Sequence, residues 1–267
     1  NFNSVHVYGS GTLNSTDTSG ANQAVVLAGT NVSIDGVTLT TSWTGIRQQS
    51  QFNASKLIVL KGTTNFKINN VTITGSAGAG IFNYGGINGK IIRNYVTNTL
   101  ADGIHNTNGA TNCIISENYL VNVGDDAIAA VGYSNGQQPQ NITVQGNIIQ
   151  GGTTRGLTCV GGKNITYTGN IVLFTYTAGL YIYGESSFSS YGANNISATG
   201  NLFIGCGNYG AYPPNTIGSP TNTPIAMAAV EIGDSTGYPI YGVNFSNNII
   251  IGSACTALSL PAYGNGV

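Results

Sequence analysis

Apolar residues in this chain come in short runs of three to six, rich in Ile, Val, Thr and Tyr, with Gly and Asn between them. Such runs suit pleated strands, and the punctuating residues suit turns where a positive φ is easy. No stretch of ten or more residues carries a helical period. The runs recur: Lys67-Ile-Asn-Asn70-Val-Thr-Ile, Ile92-Arg-Asn94-Tyr-Val, Ser116-Glu-Asn118-Tyr-Leu and Val144-Gln-Gly-Asn147-Ile-Ile align on one asparagine. Thr168-Gly-Asn170-Ile-Val, Thr199-Gly-Asn201-Leu-Phe and Ser246-Asn-Asn248-Ile-Ile continue the series. The marker spacings are 24, 24, 29, 23, 31 and 47, a base period of 23 to 24 with insertions. That period belongs to solenoids. Three short strands and three turns per coil predict an all-β fold, a right-handed parallel β-helix with coils ~4.8 Å apart. The marker asparagines are expected to stack into a ladder, and the last spacing to hide a whole coil plus a loop. A leucine-rich repeat lacks its consensus here, and a propeller needs a period near ~40.

A second distance is fixed. An aliphatic residue stands ten positions after the marker at Ile104, Ile128, Leu157, Leu180 and Leu258, while Asn70 leads to Ile81 with one residue more. Insertions at 132–140, 184–194 and 205–224 fall outside this segment and are expected to form loops rimming a groove.

Composition narrows the function. Charged residues are 6% of the chain and the net charge is -1, against about 25% charged in an ordinary domain. This argues against nucleic acid as a partner, a basic membrane-surface helix or a charged coiled coil. No run approaches the ~18 apolar residues of a membrane helix, so membrane insertion is not expected. Hydrophobic residues are 41%, enough for a core. The chain reads as one β-helix domain over 1–267; it starts at Asn1 without Met or leader, as expected of a fragment or mature form lacking its N-terminal cap. Cys113, Cys159, Cys206 and Cys255 show no metal-ligand spacing and read as buried thiols, with one or two disulfides left open. Sequons at Asn14, Asn31, Asn53, Asn70, Asn141, Asn164, Asn195 and Asn244 mostly fall in the repeat and read as its by-product.

Equal offsets from the marker become neighbours in a stacked solenoid. Offset +8 reads Asp102, Asp126, Arg155, Ala178 and Thr256; offset +11 reads His105, Ala129, Thr158, Tyr181 and Ser259; Asp125 adds offset +7. Three of nine acidic residues thus meet within two coils, beside one of two histidines and one of eight cations. Carboxylates ~5 Å apart repel, so one should hold its proton. A pair with separated pKa values is what glycosidic-bond cleavage uses. A turn ladder accepting backbone N–H groups and a Ca²⁺ site are the rival readings. Strict alternation would turn Asp102 inward with Ile104, so the chain is expected to bend at Gly103 and Ala127.

These residues bring in a resemblance. Gly124-Asp125-Asp126-Ala127-Ile128-Ala129 resembles the Asp-Asp-Cys-Ile-Ala motif of the polygalacturonase-like glycoside hydrolases, and Asp102-Gly103-Ile104 the end of their Asn-Thr-Asp-Gly motif. Val7-Tyr-Gly-Ser-Gly-Thr-Leu13 and Asn31-Val-Ser-Ile-Asp-Gly-Val-Thr-Leu39, followed by Trp43, look like their early coils. The resemblance covers about residues 5 to 184. It implies Asp125 as general acid, Asp102 and Asp126 as the groups that position and activate water, and inversion. The family's Asn-Thr, Gly-His-Gly and Arg-Ile-Lys stand here as Leu100-Ala101, Thr154-Arg155-Gly156 and Tyr181-Ile182-Tyr183. Loss of the last, which grips a uronate, favours a neutral or differently charged sugar.

Arg155 reads first as partner of the aspartates, alternatively as an acidic-sugar ligand or a lyase base. His105 reads as a substrate contact, with proton transfer as its sharper role. Tyr133, Tyr181, Tyr183, Tyr209 and Tyr212 are placed to stack on sugar rings. Arg47 and Glu231 align with the same face, through Ile46 and Val230, but several coils away, suited only to distal sugars; Glu185 and Asp234 have no assigned role. The leading expectation is a secreted or surface enzyme, extracellular or on a cell or virion, that hydrolyses a polysaccharide without a resident cofactor. A β-helical adhesin, fibre or tailspike-like protein, trimeric in that case, is the second, and a polysaccharide lyase or uronate epimerase the third.

Overall fold

The computed structural model describes residues 2–16, 24–45, 47, 56–152, 154–207, 227–234, 237–253 and 255–261. Most of the third insertion, with Tyr209 and Tyr212, lies outside them, as do Ile46 and Asn53. The described residues form three parallel sheets of 10, 9 and 9 strands that coil as a right-handed β-helix. Each coil visits the sheets in order. One coil runs from Lys90–Ile92 in the first sheet to Tyr95–Thr99 in the second and Ile104–Thr107 in the third. Among the described residues no helix is long and apolar enough to cross a membrane.

The register explains the interior. In the third sheet Ile58, Ile81, Ile104, Ile128, Leu157, Leu180 and Val230 stand one above another. Leu39, Ile73, Val96, Leu120, Ile149, Val172 and Phe203 do the same in the second, all of them fully buried. Alternate residues of the strands in the middle coils thus fill one continuous core.

At the turn from the first sheet to the second, the asparagine ladder forms. The amide nitrogens of Asn94, Asn118, Asn147, Asn170 and Asn201 each donate to the carbonyl oxygen of the next asparagine at 2.9 Å, ending on Asn248. Each backbone N–H bonds the same oxygen, and each amide also reaches a backbone carbonyl, as Asn147 does to Ile115.

Three sequence expectations change. Asn70 is exposed, one place off the ladder, and Val71 holds the position, donating its N–H to Asn94. Counted from Val71, Ile81 stands in the same register as the other coils, so the extra residue disappears. The gap from Asn201 to Asn248 is one coil with a long insertion, because the two stack directly and Leu202 pairs with Ile249. Cys255 is exposed, unlike the other three thiols, and all four cysteines are unpaired.

A second ladder, of Asn31, Asn65, Asn88, Asn112, Asn141, Asn164 and Asn195, runs along the entry to the first sheet. All seven have φ between 53° and 57°, where asparagine outranks other residues with a Cβ. Four of the sequons fall on this ladder. At Asn141, Asn164 and Asn195 the amide nitrogen that would carry a glycan donates to the preceding asparagine.

Candidate active site

The turn from the second sheet to the third carries the charge. Residues 100–103 and 124–127 make this turn in successive coils, tied by Asp125 N–H to Ala101 O and Gly103 N–H to Asp126 O. A Cβ on Gly103 would strike Leu120 and the carbonyl of Ala127, so only glycine lets the two coils approach. The bend leaves Ile104 in the core and keeps Asp102 and Asp126 at 8% and 4% exposure.

Each carboxylate has its own partners. Asp102 pairs through Oδ2 with Nδ1 of His105, and its Oδ1 accepts the Asp126 N–H at 3.1 Å. Asp125 accepts Arg47 Nη1 at 2.6 Å and the Thr154 hydroxyl at 2.8 Å. Asp126 Oδ1 accepts Arg155 Nε at 2.6 Å, and among the described residues its Oδ2 has no hydrogen-bond partner. Arg155 also donates to Glu185 at 3.1 Å, and its guanidinium lies 4.5 Å over the Tyr181 ring.

The two buried aspartates diverge. Burial pushes Asp102 up, but His105 first and then Arg47 outweigh it and hold the carboxyl below its ordinary range. Burial pushes Asp126 well above that range; Arg155 opposes this, but Asp125 and Asp102 add to it. Arg155 divides its field between Asp126 and Glu185, which weakens its pull on the Asp126 carboxyl. Arg155 itself is lowered by burial but raised further by Asp126, Asp125 and Glu185, and stays a fixed cation.

Beside the cluster the outer face of the third sheet is covered rather than open as a groove, with Ala129 and Thr158 at 0% exposure. Phe82, His105, Ala129, Thr158, Tyr181 and Glu231 follow one another across it. At one end Lys56 lies 4.7 Å over the Phe82 ring, which stacks on His105 at 5.1 Å. Burial lowers Lys56 to about 8, partly offset by Asp102 and reinforced by Arg47. At the other end Tyr181 and Tyr183 stack in parallel at 4.9 Å. They are 6% and 9% exposed and share a buried cluster against which Tyr133 packs. Their ring faces touch each other and Arg155.

The two described insertions meet. Tyr133 and Ser190 form an antiparallel bridge, and the Tyr191 hydroxyl donates to Gly136 O at 2.9 Å. They join past the C-terminal ends of the third-sheet strands, and Glu185, which follows Leu180–Gly184, bonds Arg155, which precedes Leu157–Val160.

Asp102, Asp125, Asp126, His105 and Arg155 therefore come together, with Tyr133, Tyr181 and Tyr183 packed beside them; Glu231 sits further along the sheet. Arg47 corrects an expectation, since it touches Asp125 directly. It lies 78 positions before Asp125, upstream of the first marker asparagine, where no marker fixes an offset. Lys56, Thr154 and Glu185 had no assigned role; only the position of Thr154, beside Arg155, hinted at one.

Oxygens of the three aspartates lie within 4.8 Å of one another, a spacing a cation could bridge. Five of their six oxygens already accept bonds, and two guanidinium groups stand among them. A donor set so occupied does not fit Ca²⁺, which needs six to eight oxygens.

A family model described as "Right handed beta helix region" matches residues 56–216. It is broader than the polygalacturonase-like resemblance of the motifs. No curated protein matches in sequence. Among solved structures, the alginate lyase from Paenibacillus sp. str. FPU-7 is similar at 14% identity and TM-score 0.60, over 96% of this chain and 80% of that one. The A-module of Azotobacter vinelandii mannuronan C-5 epimerase AlgE4 aligns at 12% identity and TM-score 0.52, over 96% and 78%. The catalytic unit of the GH87 alpha-1,3-glucanase from Streptomyces thermodiastaticus strain HF3-3 aligns at 18% identity and TM-score 0.60, over 94% of this chain and 52% of that one.

Proposed function

The chain belongs to the right-handed β-helix family, and from that premise we propose that it hydrolyses a polysaccharide at the Asp102–Asp125–Asp126 cluster. The observation that carries this reading is the opposite displacement of two adjacent buried carboxyls, Asp102 downward and Asp126 upward. Separated pKa values divide the acid from the base. Asp126, with its proton on the unbonded Oδ2, gives that proton to the leaving glycosidic oxygen. Asp102, ionised and backed by His105, takes a proton from the attacking water. Asp125, held by Arg47 and Thr154, faces the positive charge that grows on the sugar ring. This moves the donor's role from Asp125, where the resemblance put it, to Asp126. No resident metal enters these steps. The similar fold of a glucanase, a lyase and an epimerase, each named for a polysaccharide reaction, agrees with a carbohydrate substrate. Such polymers lie outside cells, which is where this reading places the enzyme. A passive fibre has no use for buried, mutually repelling carboxyls.

A lyase or epimerase is the second reading, favoured by His105, whose Nε2 has no hydrogen-bond partner among the described residues while Nδ1 is held by Asp102. It needs a cation for the uronate carboxylate, and Arg47 and Arg155 are already committed to carboxylates. A panel of neutral glucans, mannans and polyuronates, scored for new reducing ends and for unsaturated-product absorbance, separates the two. Reducing ends without absorbance, abolished in Asp126→Asn, are expected. Absorbance from a polyuronate overturns hydrolysis, as does silence from folded protein across the panel. The anomer of the first product, read by NMR, tells attack by water from attack by a carboxylate.

A further inference from the structure

The outer face of the second sheet changes character along the solenoid. Toward the N-terminus it shows threonine, Thr38 and Thr40 in one strand and Thr72 and Thr74 in the next. From there the first outward position reads Tyr95, Tyr119, Ile148, Ile171, Leu202 and Ile249, in direct register. Tyr95, Tyr119, Ile148 and Ile249 are exposed, and Ile171 and Leu202 half-buried. Two residues on, the second outward position reads Leu173, Ile204 and Ile251 in the last three coils. None of the six strands contains a charged residue. The first sheet differs. In the same coils as Ile148 to Ile249, its outer face carries Thr143, Thr166, Ser197 and Asn244. A solvated sheet face takes polar residues, whereas a parallel sheet that is apolar on both faces is one that becomes covered.

We propose that this face is the contact through which two copies of the chain pair, sheet on sheet. The pairing is independent of the chemistry at the acidic cluster. Six strands about 4.8 Å apart, the longer ones about 17 Å in length, span about 29 Å by 17 Å. Two such faces remove about 1,000 Å² from water, the size at which a specific interface becomes stable. A second copy fits where other partners do not. Facing itself, an uncharged apolar surface meets neither an unpaired charge nor like-charge repulsion. A membrane surface calls for a basic rim, and the turns leading into these strands bring one cation and one anion, Arg93 and Glu117. A sugar polymer needs groups that bond its hydroxyls. From Tyr119 onward the polar groups at the two outward positions are the Tyr119 hydroxyl and Gln150, bonded to each other at 2.7 Å.

Sedimentation velocity from about 1 to about 200 µM reads the pairing, in reductant so that the exposed Cys255 cannot link copies. Expected is a reversible rise from the mass of one chain to that of two. A double variant, Ile171→Thr with Leu202→Thr, gives the face the residues of its N-terminal coils and keeps strand-forming side chains at Ile171 and Leu202. It should raise the dissociation constant by at least about tenfold. Ile148→Thr, a single change at an exposed position, should raise it by about threefold. Ile114→Thr, at an exposed isoleucine on the outer face of the first sheet, should leave it unchanged. Circular dichroism confirms that each variant is folded. A single-chain mass at every concentration overturns the proposal, as does pairing that survives both variants of the face or weakens equally in Ile114→Thr. A mass that climbs past two chains without a plateau also overturns it, because a face that pairs with itself closes at two.

Discussion

Two columns of side chains run up this solenoid and obey opposite rules. At one turn Asn94, Asn118, Asn147, Asn170, Asn201 and Asn248 repeat one residue, each bonded to the next at 2.9 Å. At another, the column repeats Asp once, at Asp102 and Asp126, and then changes to Arg155 and Ala178. An amide is donor and acceptor at once, so it can stack without limit. An ionised carboxylate only accepts, and a second one beneath it is repelled. The Asp126 carboxyl is therefore pushed up in pKa, and His105, Arg47 and Arg155 are drawn in around the column. Repetition marks where the fold is held; its interruption marks where we place the chemistry.

The sharpest way to break this contrast is Asp126→Asn. Asparagine keeps an oxygen for Arg155 but cannot donate the proton we assign to Asp126. Activity should fall by about 10²- to 10⁴-fold with the melting temperature nearly unchanged, read by reducing-end assay and by circular dichroism. The wild-type rate should fall as pH rises through the elevated Asp126 pKa and as it drops through the depressed one of Asp102. A rate that rises with pH through that upper limb refutes the role of Asp126 as donor.

Asn147→Ala should do the reverse. It strips partners from Asn118, Ile115 and Asn170, all inside the solenoid. Buried groups left unsatisfied should cost about 3–5 kcal/mol in urea unfolding, while the folded fraction keeps its turnover. An equal loss of turnover per folded molecule would mean the columns are coupled.

How far each column was legible follows from the same distinction. The strand period and the marker asparagine exposed the coil, and fixed offsets brought Asp102, Asp125, Asp126 and Arg155 together, because register converts spacing into proximity. Arg47 escaped, since it lies 78 positions before Asp125, upstream of the first marker asparagine. Glu185 escaped because it lies in an insertion that has no offset. Tyr181 was placed in the right column, but its burial depends on Arg155 and a neighbouring loop, which no offset records. Asn70 was misread by one place because the true ladder position, Val71, lacks the marker residue.

Lys56 tests whether the charged column strains the fold. Its pKa falls from 10.5 to about 8 on folding, so the native state carries fewer protons than the unfolded chain between those values. Stability should rise with pH across that window, by about 3 kcal/mol when complete. Below pH ~8 both states are protonated and the penalty is constant. The buried thiols, pushed up by burial, oppose this trend above pH ~9. The difference between wild type and Lys56→Met removes them, because they act equally in both. A flat difference curve between pH ~8 and ~9 in chemical unfolding would show that burial does not penalise this lysine.

The smallest effect sharpens the comparison most, since it separates stacking from burial. Asn112 belongs to the outer ladder; its amide donates to Asn88 and its oxygen accepts from Asn141 at 3.1 Å each, in solvent. Water replaces those bonds when they are cut, so the side chain itself contributes little. Its φ of 54° adds a backbone preference that alanine lacks and glycine retains. Asn112→Ala should therefore lose about 1–2 kcal/mol and Asn112→Gly less than about 1. Both stay well below Asn147→Ala in the same denaturation assay, where the side chain is buried and also bonds the Asn118 N–H and the Ile115 carbonyl. If Asn112→Ala equals Asn147→Ala, stacking itself holds the solenoid and dry burial adds nothing. If glycine is no better than alanine there, the left-handed turn is not what selects asparagine in that ladder.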